Sequence, residues 1–355
     1  MSKFLNAKYQ NLEVYTPGEQ PQDKKYIKLN TNESPFPPSE AVIKAVNESE
    51  VCDLRLYSDP ECKKLRVAIA ELYGVEKENV YLSNGSDDIL NFSFMAFASE
   101  STPAVFPEIS YGFYKVYAEL YGVPYRAVPL MYDFSIRASD YFSTGGFVVI
   151  ANPNAPTGIA LSRDEVEAIV ASNPDNVVLI DEAYVDFGAK SAVELTKKYK
   201  NLLVVQTFSK SRSMAGARLG FCIADKELIS DLERIKYSTN PYNINRLTLV
   251  AGEAAIRDNA YYMDNCKKII EAREYTTLAL RELGFYVLDS KANFVFAKHE
   301  KISGEELYLA LKDNGILVRH FSAEKIKEFN RITIGTLDEM KTFINKVQLI
   351  LEEKL

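Results

Sequence analysis

Short apolar runs alternate with amphipathic stretches through the first two thirds of the chain. VYLS (80–83) leads into DDILNFSFMAFA, and AVF (104–106) leads into YGFYKVYAELYG. FVVIA (147–151) passes through a turn into RDEVEAIVAS, and NVVLIDEAY and LLVVQTF follow. Runs rich in Val and Ile, apolar on both faces and separated by helical periodicity, predict a mainly parallel sheet with helices on either side. Before them, YTPGEQPQDKKYIKLNTNESPFPPS (15–39) is polar and broken by prolines, which predicts an irregular arm. After about residue 250 the texture changes. A helical pattern runs from AGEAAIRDN to Gly284, and the short runs FYVLDS, NFVFAK, GILVRHF and RITIG are then interleaved with EELYLALKDNG and a last helix. The expected organisation is an arm (1–38), a large three-layer α/β/α domain (39–250) and a smaller α+β domain (251–355).

Composition narrows the function classes. The 355 residues suffice for a large domain plus a smaller one, and a net charge of −7 argues against a nucleic-acid partner. No apolar run approaches the roughly 18 residues of a membrane span, so no membrane partner is expected. The opening MSKFLNAKYQ lacks the apolar core of a signal peptide, which makes the cytoplasm the expected location. Cys52, Cys62, Cys222 and Cys266 form no CxxC pair, and His299 and His320 are the only histidines. Neither a metal site nor a histidine-based triad is expected.

In open α/β sheets ligands bind beyond the carboxyl ends of the strands. The residues there are Gly85, Ser86 and Asp87, then Tyr111, the segment 152–158, Asp181 with Tyr184, and Thr207, Ser209 and Lys210. Taken singly, each has a plain structural reading: a helix cap, a turn, a salt-bridge partner. Taken together they suit one ligand. NGSDD at a strand end offers a helix N-terminus to a phosphate. Arg218 can add a bidentate fork, with the Thr207 and Ser209 hydroxyls around the same anion. Asp181, ending a buried strand, can pair with a cation, Tyr111 offers an aromatic face, and Tyr184 can hydrogen-bond a ring oxygen. With the Lys210 amine as anchor, these are the requirements of pyridoxal 5′-phosphate.

The segments YTPGEQP, LNTNESPFPP, LYSDPECKKLR, NGSDD, ISYGFY, ANPNAPTG, DEAYVDF, TFSKSRSMAGARLG, NPYNIN and NRITIG carry a resemblance over nearly the whole chain. They are similar to the fold-type I pyridoxal-phosphate aminotransferases, within them the histidinol-phosphate aminotransferase family. The resemblance implies Lys210 as the Schiff-base lysine, Asp181 as partner of the pyridinium nitrogen and Tyr184 as donor to the ring oxygen. It also implies a homodimer in which Tyr57 reaches the neighbouring subunit's cofactor phosphate, and Arg331 as the clamp on the substrate's carboxylate-bearing end. Tyr15, Asn32 and Arg319 match positions near the substrate. One place departs from the family pattern. Ala155 stands directly before PTG, where relatives place an asparagine that bonds the ring oxygen. Either Asn154 takes over that bond, the reading favoured here, or Tyr184 bears it largely alone.

The activity this implies is amino transfer between L-histidinol phosphate and 2-oxoglutarate. A threonine-phosphate decarboxylase would use the same anchor but break a different bond at the α-carbon, so substrate orientation separates the two. An aromatic amino-acid aminotransferase would differ in its side-chain pocket. A non-catalytic regulator is disfavoured by the presence of Lys210, Asp181 and Arg218 together.

Overall fold

Burial on both faces is what the Val- and Ile-rich runs require, and a seven-stranded sheet provides it. The computed structural model describes residues 4–10, 12 and 16–354. The strands are β1 (Ile27–Lys28), β2 (Val80–Ser83), β3 (Ala104–Pro107), β4 (Tyr125–Val128), β5 (Phe147–Ala151), β6 (Val178–Asp181), β7 (Leu202–Thr207) and β8 (Gly220–Ala224). They continue with β9 (Tyr286–Val287), β10 (Phe294–Lys298), β11 (Ile316–Leu317), β12 (Arg319–His320) and β13 (Asn330–Thr333). The large sheet has the order β2-β8-β7-β6-β5-β3-β4, and only β8 runs antiparallel to its neighbours.

The helices are α1 (Glu40–Ala45), α2 (Glu48–Cys52), α3 (Lys63–Tyr73), α4 (Ser86–Phe97), α5 (Phe113–Tyr121), α6 (Arg163–Ala171) and α7 (Lys226–Thr239). The rest are α8 (Arg246–Arg257), α9 (Asn259–Glu282), α10 (Gly304–Asp313) and α11 (Leu337–Lys354). Side chains alternate across each strand. Val148, Ile150, Val178 and Ile180 pack on the face covered by α3, α6 and α8. Phe147, Val149 and Leu179 pack on the opposite face, under α4, α5 and α7. Each such fully buried side chain contributes about 1.5–3 kcal/mol. By the same parity Asp181 falls on the α4–α5 face, beside Leu179.

The smaller layer is the antiparallel sheet β12-β13-β10-β9, backed by α9, α10 and α11. The arm is less irregular than its prolines suggested. Ile27–Lys28 pair in parallel with Ile316–Leu317, which ties the arm to the smaller layer.

Two further features differ from the sequence expectation. The helical pattern from residue 251 is two helices, broken at Asp258, and Gly284 follows α9 with a φ of +89°. The boundary placed at 250 also moves. Ala251, Ala255 and Ile256 of α8 belong to the core of the large sheet, because α8 packs on α1 and α3. The change of core falls inside α9, where Tyr262 packs with the large sheet and Cys266, Ile269 and Ala272 with the smaller one. Among the described residues no helix is long and apolar enough to cross a membrane.

Candidate cofactor and substrate site

The carboxyl ends of β2, β5, β6 and β7 surround a cavity of about 350 Å³. At one end lies an anion cradle. Gly85 precedes α4 with a φ of +89°, and a Cβ there would come within 2.7 Å of Arg218 Nη2. A Cβ at Gly220 would collide with the Ser86 backbone nitrogen. The two glycines keep the first turn of α4 open and let Arg218 approach it. Arg218 sits at φ +54°, with Nη2 donating to Asp87 Oδ2 at 2.9 Å and Nη1 to Ser209 Oγ at 3.5 Å. Thr207 Oγ1 donates to Ser209 Oγ at 3.1 Å and accepts from the Ser209 N–H at 3.1 Å. Asp87 holds the rim together by also accepting from the Tyr111 hydroxyl at 2.7 Å. Its side chain can only accept, so an anion in the cradle would meet helix N–H groups, hydroxyls and the guanidinium.

Asp181 lines the same cavity from β6 and is 5 % exposed. Burial pushes its carboxyl from 3.8 up to about 6, against the hydrogen bonds from the Tyr114 hydroxyl (2.8 Å) and the Ala183 N–H (3.1 Å). Both donors are neutral, so the buried charge calls for a cation. Lys210, in the connection between β7 and β8, places Nζ 3.3 Å from the Thr31 carbonyl and 5.7 Å from the centre of the Tyr184 ring. Tyr184 stands against Phe294 edge to face at 5.1 Å, and its hydroxyl accepts from Asn32 Nδ2 at 3.0 Å.

Pyridoxal 5′-phosphate fits these groups. Its phosphate suits the cradle that a Cβ at Gly85 would fill, its ring nitrogen suits the buried Asp181, and its aldehyde suits the Lys210 amine.

Asn154 does not take the place left by Ala155. Its Oδ1 accepts from Ser110 Oγ at 2.7 Å, and its Nδ2 donates to the Ile109 carbonyl at 2.9 Å and to Thr157 Oγ1 at 3.2 Å. The amide is spent on fixing the loop after β3, and it is the Ala155 methyl that faces the cavity. The expectation that Asn154 lies on the cofactor is corrected accordingly.

A second chamber of about 600 Å³ adjoins the first and shares Thr31, Tyr111, Ala155, Tyr184 and Lys210 with it. Arg331 faces it from β13, its guanidinium lying over the rings of Phe294 (5.4 Å) and Phe321 (5.8 Å) while Nη2 donates to the Asn30 carbonyl at 3.0 Å. Arg319 also lines it but spends two donors on the arm, to the carbonyls of Thr16 (3.0 Å) and Pro17 (3.2 Å). Asn32 sits at the junction. Tyr15 lies outside the described residues.

Tyr57 is apart from both chambers. It is 81 % exposed and stacked on Tyr242 at 4.5 Å. Sequence reasoning missed Tyr114, which holds Asp181, and Thr31, which meets the lysine. The parity of β6 could have pointed to α5. It also missed Asn243, whose Nδ2 donates to Ser83 Oγ (2.7 Å) and Asp88 Oδ2 (2.8 Å) at the foot of the cradle.

Comparison with known proteins agrees with this arrangement. Residues 24–347 match the family described as aminotransferase class I and II. A histidinol-phosphate aminotransferase of Brachyspira hyodysenteriae is 54% identical over 353 residues, covering 99% of this chain and 100% of its own. One of Clostridium beijerinckii is 49% identical over 351 residues, covering 99% and 98%. The crystal structure of histidinol-phosphate aminotransferase from Sinorhizobium meliloti in complex with pyridoxal-5′-phosphate superposes with a TM-score of 0.89 over 99% of both chains, at 22% identity, and shares the fold. With a lysine, a buried carboxylate and an anion cradle gathered at one sheet edge, the chain belongs to the class I and II aminotransferases, in the histidinol-phosphate aminotransferase family.

Proposed function

We propose that the protein transfers the amino group between L-histidinol phosphate and 2-oxoglutarate, giving imidazole acetol phosphate and L-glutamate, a step of histidine biosynthesis. The observation that carries this reading is the meeting of the two chambers at Lys210: a cofactor-shaped cavity on one side and an arginine-faced chamber on the other. The names of the full-length relatives supply the substrate.

When bound, pyridoxal 5′-phosphate supplies an electron sink for the pair released at the substrate's α-carbon. The chain does the rest. The Lys210 amine would anchor the cofactor's aldehyde and, when free, would take and return the proton at the substrate's α-carbon. Asp181 would keep the ring nitrogen protonated by opposing its charge. Tyr184 would donate to the ring oxygen. Gly85, Ser86, Thr207, Ser209 and Arg218 would hold the phosphate, Asp87 orients Arg218 and Tyr111, and Tyr111 would offer its ring to the cofactor. Arg331 binds the anionic end of each substrate, bidentate where that end is a carboxylate. Arg319 draws Thr16 and Pro17 of the arm to the chamber they line together. The smaller layer presents Arg319 and Arg331 to the chamber.

The working unit is a cytoplasmic homodimer. Tyr57 does not line its own chain's cavity, and Val51, Leu54 and Leu56 around it are each close to half exposed, which suits a partner's surface. Tyr57 then reaches the partner's cofactor phosphate. Incubating the protein with histidinol phosphate and 2-oxoglutarate should release glutamate. Carbon dioxide from threonine phosphate, with no glutamate from the first pair, would replace this reading with the lyase.

A further inference from the structure

We propose that Asn32 is a positioning residue: by donating its amide N–H to the Tyr184 hydroxyl oxygen, it turns the tyrosine's own hydrogen into the cofactor cavity. This deepens the function proposed above, because it rests on Tyr184 serving the cofactor's ring oxygen. Sequence resemblance placed Asn32 near the substrate, but its side chain is committed elsewhere.

The argument starts with Thr333. Its hydroxyl oxygen accepts from the Asn32 backbone N–H at 2.9 Å, and its hydrogen goes to Asn32 Oδ1 at 2.9 Å. With Oδ1 turned to Thr333, the amide presents Nδ2 to Tyr184, 3.0 Å away. A hydroxyl that accepts on its oxygen from one side places its own hydrogen elsewhere, and the side of Tyr184 away from Asn32 and the Phe294 ring is the cavity it lines with Lys210. Asn32 is buried, 1 % exposed, and its carbonyl accepts from Asn293 Nδ2 at 3.0 Å. Its backbone is at φ +55°, a conformation that asparagine tolerates far better than most residues. The segment is therefore held in an unusual conformation, which sends the Thr31 carbonyl to Lys210 Nζ at 3.3 Å and the Asn32 amide to the Tyr184 hydroxyl.

Ala155 gives the pairing its weight. A methyl group faces the cavity where an amide donor would otherwise stand, and the Asn154 amide is consumed by Ser110, Ile109 and Thr157. The direction of the Tyr184 hydrogen then matters more, and Asn32 fixes it from outside the cofactor's reach. The charged groups sharing the cavity with Tyr184 are Lys210, across its ring, and Asp181, Glu33, Asp87 and Arg218 on its walls.

The test uses the cofactor-loaded protein and reads the pH at which the bound cofactor's visible absorbance turns over. Tyr184→Phe removes the donor and should move that midpoint upward, since nothing then competes for the ring oxygen's charge. Asn32→Gly keeps the positive φ but removes the amide. It should move the midpoint the same way by up to about one pH unit, the size expected for a weakened hydrogen bond to a charged oxygen. In the double variant the two effects should not add. Additive effects, or a KM raised by Asn32→Gly with the midpoint unchanged, would overturn the proposal and make Asn32 a substrate contact. Should Asn32→Gly not fold, Asn32→Asp keeps shape and φ but offers an acceptor that pulls the Tyr184 hydrogen out of the cavity. Its midpoint should move at least as far, and an unchanged midpoint overturns the proposal. A Tyr184→Phe protein with an unmoved midpoint sinks the assigned role of Tyr184 and this inference with it. A moved Tyr184→Phe midpoint beside unmoved Asn32 variants sinks only the inference.

Discussion

Replacing Asp181 with asparagine separates what the carboxylate costs the empty protein from what it gives the loaded one. Burial pushes its carboxyl from 3.8 to about 6, so at pH 8 the cofactor-free fold holds a buried charge that unfolding would return to water. A raised pKa favours the folded form only while the group is protonated. That contribution is complete below 3.8, and it is lost as pH rises through about 6. At about 1.4 kcal/mol per pH unit, the charged carboxylate costs roughly 3 kcal/mol at pH 8 and about half as much at pH 5. The substituted asparagine would carry no charge at either pH. Its amide meets the Tyr114 hydroxyl, which can turn to accept, so that exchange adds an offset of about 1 kcal/mol that does not vary with pH. Glu182, pushed up to about 7 by burial on the opposite face of the sheet, titrates in both proteins and largely drops out of the difference. In urea denaturation of the cofactor-free proteins, the stability of Asp181→Asn relative to the parent should therefore rise by about 1.4 kcal/mol between pH 5 and pH 8. Adding pyridoxal 5′-phosphate should reverse the order, because only the parent gains a cation for its buried charge. A difference identical at the two pH values would refute the account of Asp181 as a buried, uncompensated carboxylate.

Three other perturbations test separate parts of the architecture. Gly85→Ala puts a methyl group into the Arg218 guanidinium at a positive φ. Cofactor affinity should fall about tenfold or more, read by fluorescence titration, with about 1–3 kcal/mol lost from the fold. Arg273 is buried and donates through Nη1 to the carbonyls of Phe187 (2.7 Å) and Ala292 (2.8 Å). Arg273→Met should cost about 2–4 kcal/mol in urea denaturation by leaving both carbonyls unpaired. Leu54→Asp should give a folded monomer by sedimentation, with weaker cofactor retention than the parent. A variant that stays dimeric would place the interface elsewhere.

The strands that were legible are those buried on both faces. FVVIA and VYLS became β5 and β2 residue for residue, because a parallel sheet between helix layers demands unbroken apolar runs. β4 was missed because three of its four residues, at the sheet edge, are exposed, so YRAV carries no apolar run. The cofactor cradle was legible because glycine, serine and lysine at strand ends have few other reasons to occur together. The substrate side was less so. Arg319 looked like a ligand group, yet its donors go to Thr16 and Pro17, a pairing about 300 positions apart that no local pattern encodes. Asn154 failed for a related reason. Its neighbours in sequence suggested a cofactor contact, but the loop after β3, brought in by the fold, offers its amide two partners and Thr157 of its own turn a third.

Asn32 is fixed by Thr333, 301 positions further along the chain. At a ribosomal rate of about 5–20 residues per second, its partner emerges some 15–60 s after it does. Through that interval the large sheet and the Lys210 loop can already have formed, while the amide that directs Tyr184 has nothing to hold it. Until β13 seats, the Asn32 amide therefore lacks the hydroxyl that sets its direction.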